Sequence, residues 1–485
     1  MVKSKNAPRV LFASFEAEPF GKTGGLGEVA GSLPQALKRA GAEVRVILPK
    51  LPTMPERLAA RLQHVADFKL PLGWRWQYCG VERLDYKYQT YYFIDNEYYF
   101  KRGAFYGYDD DAERIAFFAK AVLEALQYIP DFQPQLIHCN DWHTALVPVL
   151  LREQYMQAAG YSGIRTLFSV HNLRFQGKYD PNFLGDVLGL ADKKPARDQL
   201  IRDGALNYML GGICYADRLL TVSPTYAEEI CTPAFGEWLD DVFRRRGNVL
   251  AGVLNGIDVK TYDPERDKFI PACFSAAKMT GKAACKAAAQ REFNLPERSD
   301  LPMLVLISRL TEQKGLDLLL HILGELLEQP VQVAVLGVGD QKYENAFRWF
   351  NDKYENFACR LQFDDRLAHL LYAGGDALLM PSKFEPCGLA QMIAMRYGTL
   401  PIVRETGGLK DSVTPYNQYT GGGTGFSFAN YNAHELLFTA KMALSVYYDS
   451  PKVWRRLQKQ AMAQDFSWNR SAEKYVEIYK QLLSE

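Results

Sequence analysis

Along the chain, short apolar runs bounded by polar residues alternate with longer stretches of helical spacing. Runs at 9–15, 44–48, 135–139, 166–170 and 218–222 read as buried parallel strands. Between the first two, Val29, Leu33, Ala36, Leu37 and Ala40 share one helix face, and Pro34 in their midst predicts a kink or a restart. Helices are expected over 112–128 and 144–157. Residues 50–108 crowd aromatics into alternating strand patterns, read mainly as the packing of an irregular β insertion. A last strand and turn over 249–258 precede a hinge placed at 258–264. A second series then follows, with strands at 303–307, 331–336, 361–363, 377–380 and 400–403 and helices at 281–293, from Leu316, and from about 432 and 451. Two such series predict two doubly wound α/β domains.

Composition narrows the class. A chain of 485 residues suits two or three domains, and 48% hydrophobic with 23% charged residues is ordinary globular composition. The formal charge of +1 gives no whole-molecule attraction to nucleic acid or membrane, so any anion site is local. No apolar run reaches the ~18 residues of a membrane span, and the amino end moves from a few basic residues straight into a strand. Eight scattered cysteines show neither a C-x-x-C pair nor zinc spacing. The expectation is a reduced cytoplasmic enzyme, with 28 Tyr mildly favouring carbohydrate-facing surfaces.

Candidate chemistry gathers where strands end. Arg309 and Lys314 follow the 303–307 run and precede a helix, a place where backbone N–H groups and two cations suit a diphosphate. The alternative is ordinary surface pairing with Glu312 or Asp317. After the first strand, Gly21-Lys22-Thr23-Gly24-Gly25-Leu26-Gly27-Glu28 forms a glycine-rich turn into a helix, readable as an anion cradle around Lys22 or as a structural turn. Asn140-Asp141-Trp142-His143 and His171-Asn172 stand at two further strand ends, and Glu385 stands before a helix start. Asp109-Asp110-Asp111 contains a D-x-D, read as helix capping rather than a metal site. The glycines at 421–425 read as a flexible loop.

Taken together, K-T-G-G-L at 22–26, G-Y-D-D-D-A-E-R at 107–114, N-D-W-H-T at 140–144, H-N at 171–172, V-S-P-T-Y-A-E-E-I at 222–230, V-L-N-G-I-D at 253–258, S-R-L-T-E-Q-K-G at 308–315, F-E-P-C-G-L at 384–389 and T-G-G-L at 406–409 resemble the bacterial glycogen synthases and plant starch synthases. The resemblance spans nearly the whole chain. It implies a GT-B fold, two Rossmann-like domains facing a deep interdomain cleft: 1–258 on the glucan acceptor side, 259–462 on the donor side, and a helix at 463–485 packing back on the first domain. It implies transfer of glucose from ADP-glucose to the non-reducing end of an α-1,4-glucan with retention, with a UDP-glucose enzyme or a non-catalytic glucan-binding homologue as alternatives. A pyridoxal-phosphate phosphorylase of the same fold would need a much longer chain.

Carried over by position, Glu385, Arg309, Lys314, His171 and Lys22 are the catalytic set. Gly24, Gly25, Phe363, Cys387, Gly388, Leu389, Thr406, Gly407 and Gly408 meet the donor, with Phe363 under the base, and Gly408 to Asp411 line the diphosphate pocket. Asp141 and Trp142 border the acceptor, Trp142 offering a flat apolar face. No cofactor and no metal are expected. Partners are the glucan and the nucleotide sugar, with neither nucleic acid nor membrane, and the chain is a monomer or homo-oligomer. The compartment is cytoplasmic, or plastid stroma for a plant-type homologue, although no transit peptide is visible. Two departures stand out: Glu28 replaces the usual Asp, and Trp238 interrupts a segment that usually carries glycine.

Overall fold

A computed structural model describes residues 7–485, and the chain divides into two compact units. Unit 1 runs to Val222, resumes over Ala227–Gly256 and takes in Trp468–Glu485; unit 2 holds Ser223–Tyr226 and Ile257–Ser467. The division therefore falls at 256/257 rather than after 258. The terminal helix spans Trp468–Ser484 rather than 463–485, because Ala463 to Ser467 stay with unit 2.

Unit 1 is built on β1 (Arg9–Ala13), β2 (Glu43–Pro49), β3 (Gln63–Leu72), β4 (Arg75–Tyr86), β5 (Gln89–Asp95), β6 (Leu136–Asn140) and β7 (Arg165–Val170). A small antiparallel sheet follows, β8 (Lys178–Tyr179), β9 (Ile201–Arg202) and β10 (Ala205–Asn207), and β11 (Arg218–Thr221) and β12 (Leu250–Gly252) complete the main sheet. The order is β12-β11-β7-β6-β1-β2-β5-β4-β3. All pairs are parallel as far as β5, where the β3–β4 hairpin is added antiparallel. Central strands such as β6 are buried at every position, as strands covered on both faces must be. The chain runs outward from β1 to β2 and β5, then returns to lay β6 on the other side of β1. That reversal is a topological switch point, and in open α/β sheets ligands bind at the carboxyl end of the strands there.

Unit 2 repeats the device with β13 (Met303–Ile307), β14 (Gln332–Leu336), β15 (Phe357–Arg360), β16 (Ala377–Met380), β17 (Leu400–Arg404) and β18 (Phe426–Phe428). All are parallel, in the order β15-β14-β13-β16-β17-β18. Its switch point lies between β13 and β16.

Several expectations change. The strand expected at 361–363 is Phe357–Arg360, whose first three residues are buried, whereas Gln362 and Phe363 are exposed and lead into the Asp364 cap. Pro34 does not restart its helix, which is continuous over Gly25–Arg39 with Pro34 buried. The 144–157 helix is divided into a 3-10 turn, α-helix Leu146–Leu150 and a π turn. Asp110 at the start of helix Asp111–Glu124 makes no capping hydrogen bond with its side chain and pairs with Arg102, while Asp111 takes the buried Arg114. The 421–425 glycines belong to a hydrogen-bonded turn, Gly421 N donating to Asn417 O at 2.7 Å and Asn417 N to Gly422 O at 2.8 Å. Of the aromatics in 86–108, Tyr91, Tyr92, Phe93, Tyr99 and Phe100 are fully buried, as the packing reading requires.

Candidate active site

Unit 2 carries its polar side chains at the carboxyl ends of the neighbouring strands β13, β16 and β17. The loops that follow press together where only glycine fits. A Cβ on Gly315 would lie 1.9 Å from the Pro381 carbonyl oxygen, on Gly407 2.1 Å from that of Glu385, and on Gly408 2.0 Å from that of Cys387. Gly315 and Gly407 also take positive φ, 66° and 43°. Lys314 and Glu385 thus share one rigid seat.

In that seat Lys314 Nζ donates to Glu385 Oε2 at 2.7 Å, and Ser382 Oγ donates to the same oxygen at 2.9 Å. Glu385 is 6% exposed. Pairing of the cations with Glu312 or Asp317 is not what the fold builds: Glu312 accepts from Lys383 Nζ at 2.8 Å, and Asp317 accepts the Tyr431 hydroxyl. Arg309 is exposed and forms no ion pair among the described residues. Gln391 Nε2 donates to the carbonyls of Cys387 and Gly388 at 3.1 and 2.9 Å, holding the turn before Leu389, which starts helix Ala390–Arg396. Thr406 starts helix Gly407–Ser412. The Ser223–Tyr226 segment buttresses both turns: Ser223 Oγ donates to Pro386 O at 2.7 Å, and Thr225 donates to the Asp411 carboxylate through N and Oγ1 at 2.8 and 2.7 Å. Phe363 stands at the far side of the sheet, three residues past β15 and 77% exposed.

Unit 1 places its residues after β1, β6 and β7. The turn after β1 is clamped by the buried Glu16, whose carboxylate accepts Thr23 Oγ1 at 2.7 Å together with Thr23 N and the Tyr106 hydroxyl. Lys22 Nζ lies 3.3 Å from both Glu18 Oε2 and Glu28 Oε1. Burial opposes its charge, but Glu28 and Glu18 together outweigh that and raise its pKa. Gly21 and Gly27 are forced by Thr53 and Lys22, whereas a Cβ on Gly24 or Gly25 would meet nothing within 4 Å. The backbone opening the Gly25–Arg39 helix therefore faces free space.

Asp141 follows β6 with φ 59° and ψ 177°, a region costly for any residue with a side chain. Its Oδ1 accepts His171 N at 3.0 Å, and burial pushes its pKa up to about 7 against the pull of the His171 and Asn172 amides. His171 Nε2 lies 3.0 Å from Asn140 Oδ1. The Asn140 amide is oriented by Nδ2 donating to the carbonyls of Ala13 and His138 at 3.0 and 3.2 Å, so Nε2 carries the proton and Nδ1 is the acceptor. Burial lowers the His171 pKa to about 4, so the ring is neutral near pH 7. His143, the second strand-end histidine, is a core residue: it stacks on Phe15 and Tyr106, its pKa is depressed by burial, and neither ring nitrogen has a partner among the described residues. Trp142 is 9% exposed, and a Cβ on Gly177 would lie 2.4 Å from its Cε3. Its ring is packed in and does not present the open face expected of it. Trp238 and Glu237 take positive φ, 68° and 46°, and Trp238 is 77% exposed. The loop keeps a left-handed conformation with a side chain where glycine would be relaxed.

Sequence reasoning passed over Glu16, Tyr106, Ser382 and Ser223, which hold the candidate residues in place. Ser382 lies in the same run as Glu385, and Glu16 lies three residues past β1, so position at a strand end was the signal available for both. Among the described residues no group of three or more His, Cys, Asp or Glu is arranged to hold a metal ion, and no helix is long and apolar enough to cross a membrane. All eight cysteines are free.

Comparison with known proteins agrees with this architecture. The starch synthase catalytic domain family matches residues 9–245, and the glycosyl transferases group 1 family matches 289–455. The chain is 46% identical over 477 residues to a glycogen synthase of Anoxybacillus flavithermus and 49% identical over 476 to one of Geobacillus thermodenitrificans, covering 98% of each chain in both cases. The catalytic domain of starch synthase IV from Arabidopsis thaliana, solved with ADP and acarbose, superposes with a TM-score of 0.89 at 33% identity over 99% of this chain and 100% of that one. Sucrose-phosphate synthase from Thermosynechococcus elongatus shares the fold, with a TM-score of 0.60 at 18% identity, covering 98% of this chain and 99% of that one. The fold is that of the GT-B glycosyltransferases.

Proposed function

Because the chain belongs to the glycogen and starch synthase family of glycosyltransferases, we propose that it transfers glucose from ADP-glucose to the non-reducing end of an α-1,4-glucan, retaining the anomeric configuration and releasing ADP. The carrying observation is the strand-end cluster of unit 2: an exposed Arg309, and Lys314 held 2.7 Å from Glu385 on loops locked by glycine. Negative charge grows on the diphosphate as the glucosyl bond breaks, and preorganised cations act where charge develops. Arg309 and Lys314 fill that role, and Lys22 is assigned to anion recognition on unit 1. Two cations offset the leaving group, so the reading needs no divalent metal.

Glu385 keeps the Lys314 ammonium in place and presents its remaining acceptor capacity to donor hydroxyls. A single carboxylate does not provide the pair used by glycosidases. In the same-face transfer assigned here, the departing phosphate oxygen takes the acceptor hydroxyl proton as the new bond forms. The neutral His171 accepts a hydroxyl hydrogen at Nδ1, and Asp141 borders the acceptor. Gly24, Gly25, Cys387, Gly388, Leu389, Thr406, Gly407 and Gly408 offer backbone to the donor, and the exposed Phe363 stacks on its base. Trp142 shapes the acceptor side from beneath, given its burial.

The test is paired release of ADP and UDP from the two nucleotide glucoses at equal concentration, with glycogen as acceptor and a chelator present. Faster ADP release is expected. A UDP-glucose preference would overturn the donor assignment, dependence on added metal would overturn the charge assignment, and release from neither would overturn the enzyme.

A further inference from the structure

At the edge of the main sheet, the β3–β4 hairpin exposes three aromatics, Trp74 in its turn and Trp76 and Tyr78 on β4. Trp74, Trp76 and Tyr78 are 75%, 67% and 49% exposed. Trp76 and Tyr78 project from the same side of β4, about 7 Å apart along the strand, while Cys79 and Leu70 turn to the core. Such a row is costly to leave in water unless something covers it.

Two of these rings are fixed by polar groups and a close neighbour on one face, and both stay largely exposed. The Tyr78 hydroxyl donates to Asp67 Oδ1 at 2.6 Å, and a Cβ on Gly80 would lie 2.6 Å from that hydroxyl and 3.2 Å from Cζ. Tyr78 therefore lies along the sheet over a glycine, anchored at its tip. Trp74 Nε1 donates to Asp186 Oδ1 at 2.8 Å, and the Arg75 guanidinium, bound to the same carboxylate, sits 4.7 Å from the ring centroid. Gly73, with φ 58°, abuts the Asp186 carbonyl oxygen, where a Cβ would lie at 1.9 Å. The hairpin tip is locked, so little ordering is lost when a ligand lands.

Flat aromatic faces with hydrogen-bonding groups at their rims suit a ligand whose rings have apolar faces and hydroxylated edges. The row also leads toward the proposed acceptor side: Asp186 ends the helix Phe183–Asp186, which follows β8, and Tyr179 of β8 has its ring 6.4 Å from that of Trp142. We infer that Trp74, Trp76 and Tyr78 form an auxiliary glucan-binding strip that retains a long polymeric acceptor beside the transfer site. The inference rests on the function proposed above for its occupant.

The test uses the full chain without donor, in native gels containing glycogen, and kinetics with glycogen and with a short maltooligosaccharide. For the W76A/Y78A double variant, glycogen affinity is expected to fall roughly tenfold and the KM for glycogen to rise with it. The kcat on the short acceptor and the KM for nucleotide sugar should stay at the wild-type values, which also reports a folded chain. D67N, which weakens the Tyr78 anchor, should show a smaller loss of the same kind. Unchanged retardation of W76A/Y78A in a protein that transfers to short acceptors overturns the strip and leaves the functional reading standing. A loss of rate equal on both acceptors overturns the strip as well, since it marks a structural effect. A wild-type protein that neither transfers nor binds glycogen overturns both.

Discussion

At the scale of single residues, the fold spends its strain and burial on a few carboxylates. Glu385 is buried with one ammonium and one hydroxyl on a single oxygen, so removing either charge leaves the other uncompensated. Glu385→Ala is expected to lower the transfer rate about 100- to 1000-fold while ADP still binds. Lys314→Ala should weaken ADP binding and slow transfer together, and unchanged ADP titration would remove the diphosphate assignment. Asp141 makes a pH prediction. Its folded pKa of about 7 lies above the ordinary aspartate value of 3.8, so between these values the folded chain holds a proton that the unfolded chain has released. Its stabilising contribution is present at low pH and is lost as pH rises through 7. Asp141→Asn, which keeps an acceptor for the His171 amide, should match wild type near pH 4 and exceed its stability by about 4 kcal/mol at pH 8. Denaturant unfolding across that range decides it, and a pH-independent difference would contradict the assignment. Glu385, Arg309 and Lys314 were legible because charged residues after apolar runs mark strand ends. The burial of Trp142 and His143 was not, because their neighbours Gly177 and Phe15 are distant in sequence.

At the scale of elements, the helices of unit 2 are tied together by buried lysines. Lys282, on the Thr280–Glu292 helix, donates to Ala373 O and Tyr397 O at 3.0 Å each and to Thr399 Oγ1 at 2.8 Å, joining the ends of two other helices to the approach of β17. Burial draws its pKa down to about 7, against the pull of Asp376. One turn on, Lys286 pairs with Asp376 at 2.7 Å, and the same carboxylate accepts Met303 N at 2.8 Å at the start of β13. The strand that leads to Arg309 is thus positioned from its far end. Lys282→Met should cost about 3 kcal/mol by orphaning buried acceptors, read as a lower denaturation midpoint; an unchanged midpoint would show that the three bonds do not hold the layer. The helix itself was readable from its alanine-rich spacing. Its role was not, because a lysine among alanines reads equally well as a solvated face.

At the scale of the whole molecule, the chain's last helix belongs to its first unit. Trp468, Ala472, Tyr475, Val476, Tyr479 and Leu482 enter the unit 1 core beside Val29, Leu33 and Leu37, and the Tyr479 hydroxyl lies 2.8 Å from Nδ1 of the buried His138. Each fully buried apolar side chain contributes about 1.5–3 kcal/mol, so truncation after Ser467 removes an amount comparable with the whole stability of a domain. Such a chain should lose or sharply lower a calorimetric transition, and an unaltered scan would show the helix to be dispensable. What the sequence determined by itself was the βα rhythm, the faces of helices and strands, and the residues at strand ends, since these follow from local periodicity and the conformational freedom of glycine. What only the tertiary structure decided was which of those ends meet. Lys314 reaches Glu385, 71 residues on, because the chain lays β16 against β13 after β14 and β15 have gone the other way. Strand order is settled by the packing of whole layers, and no local spacing encodes it.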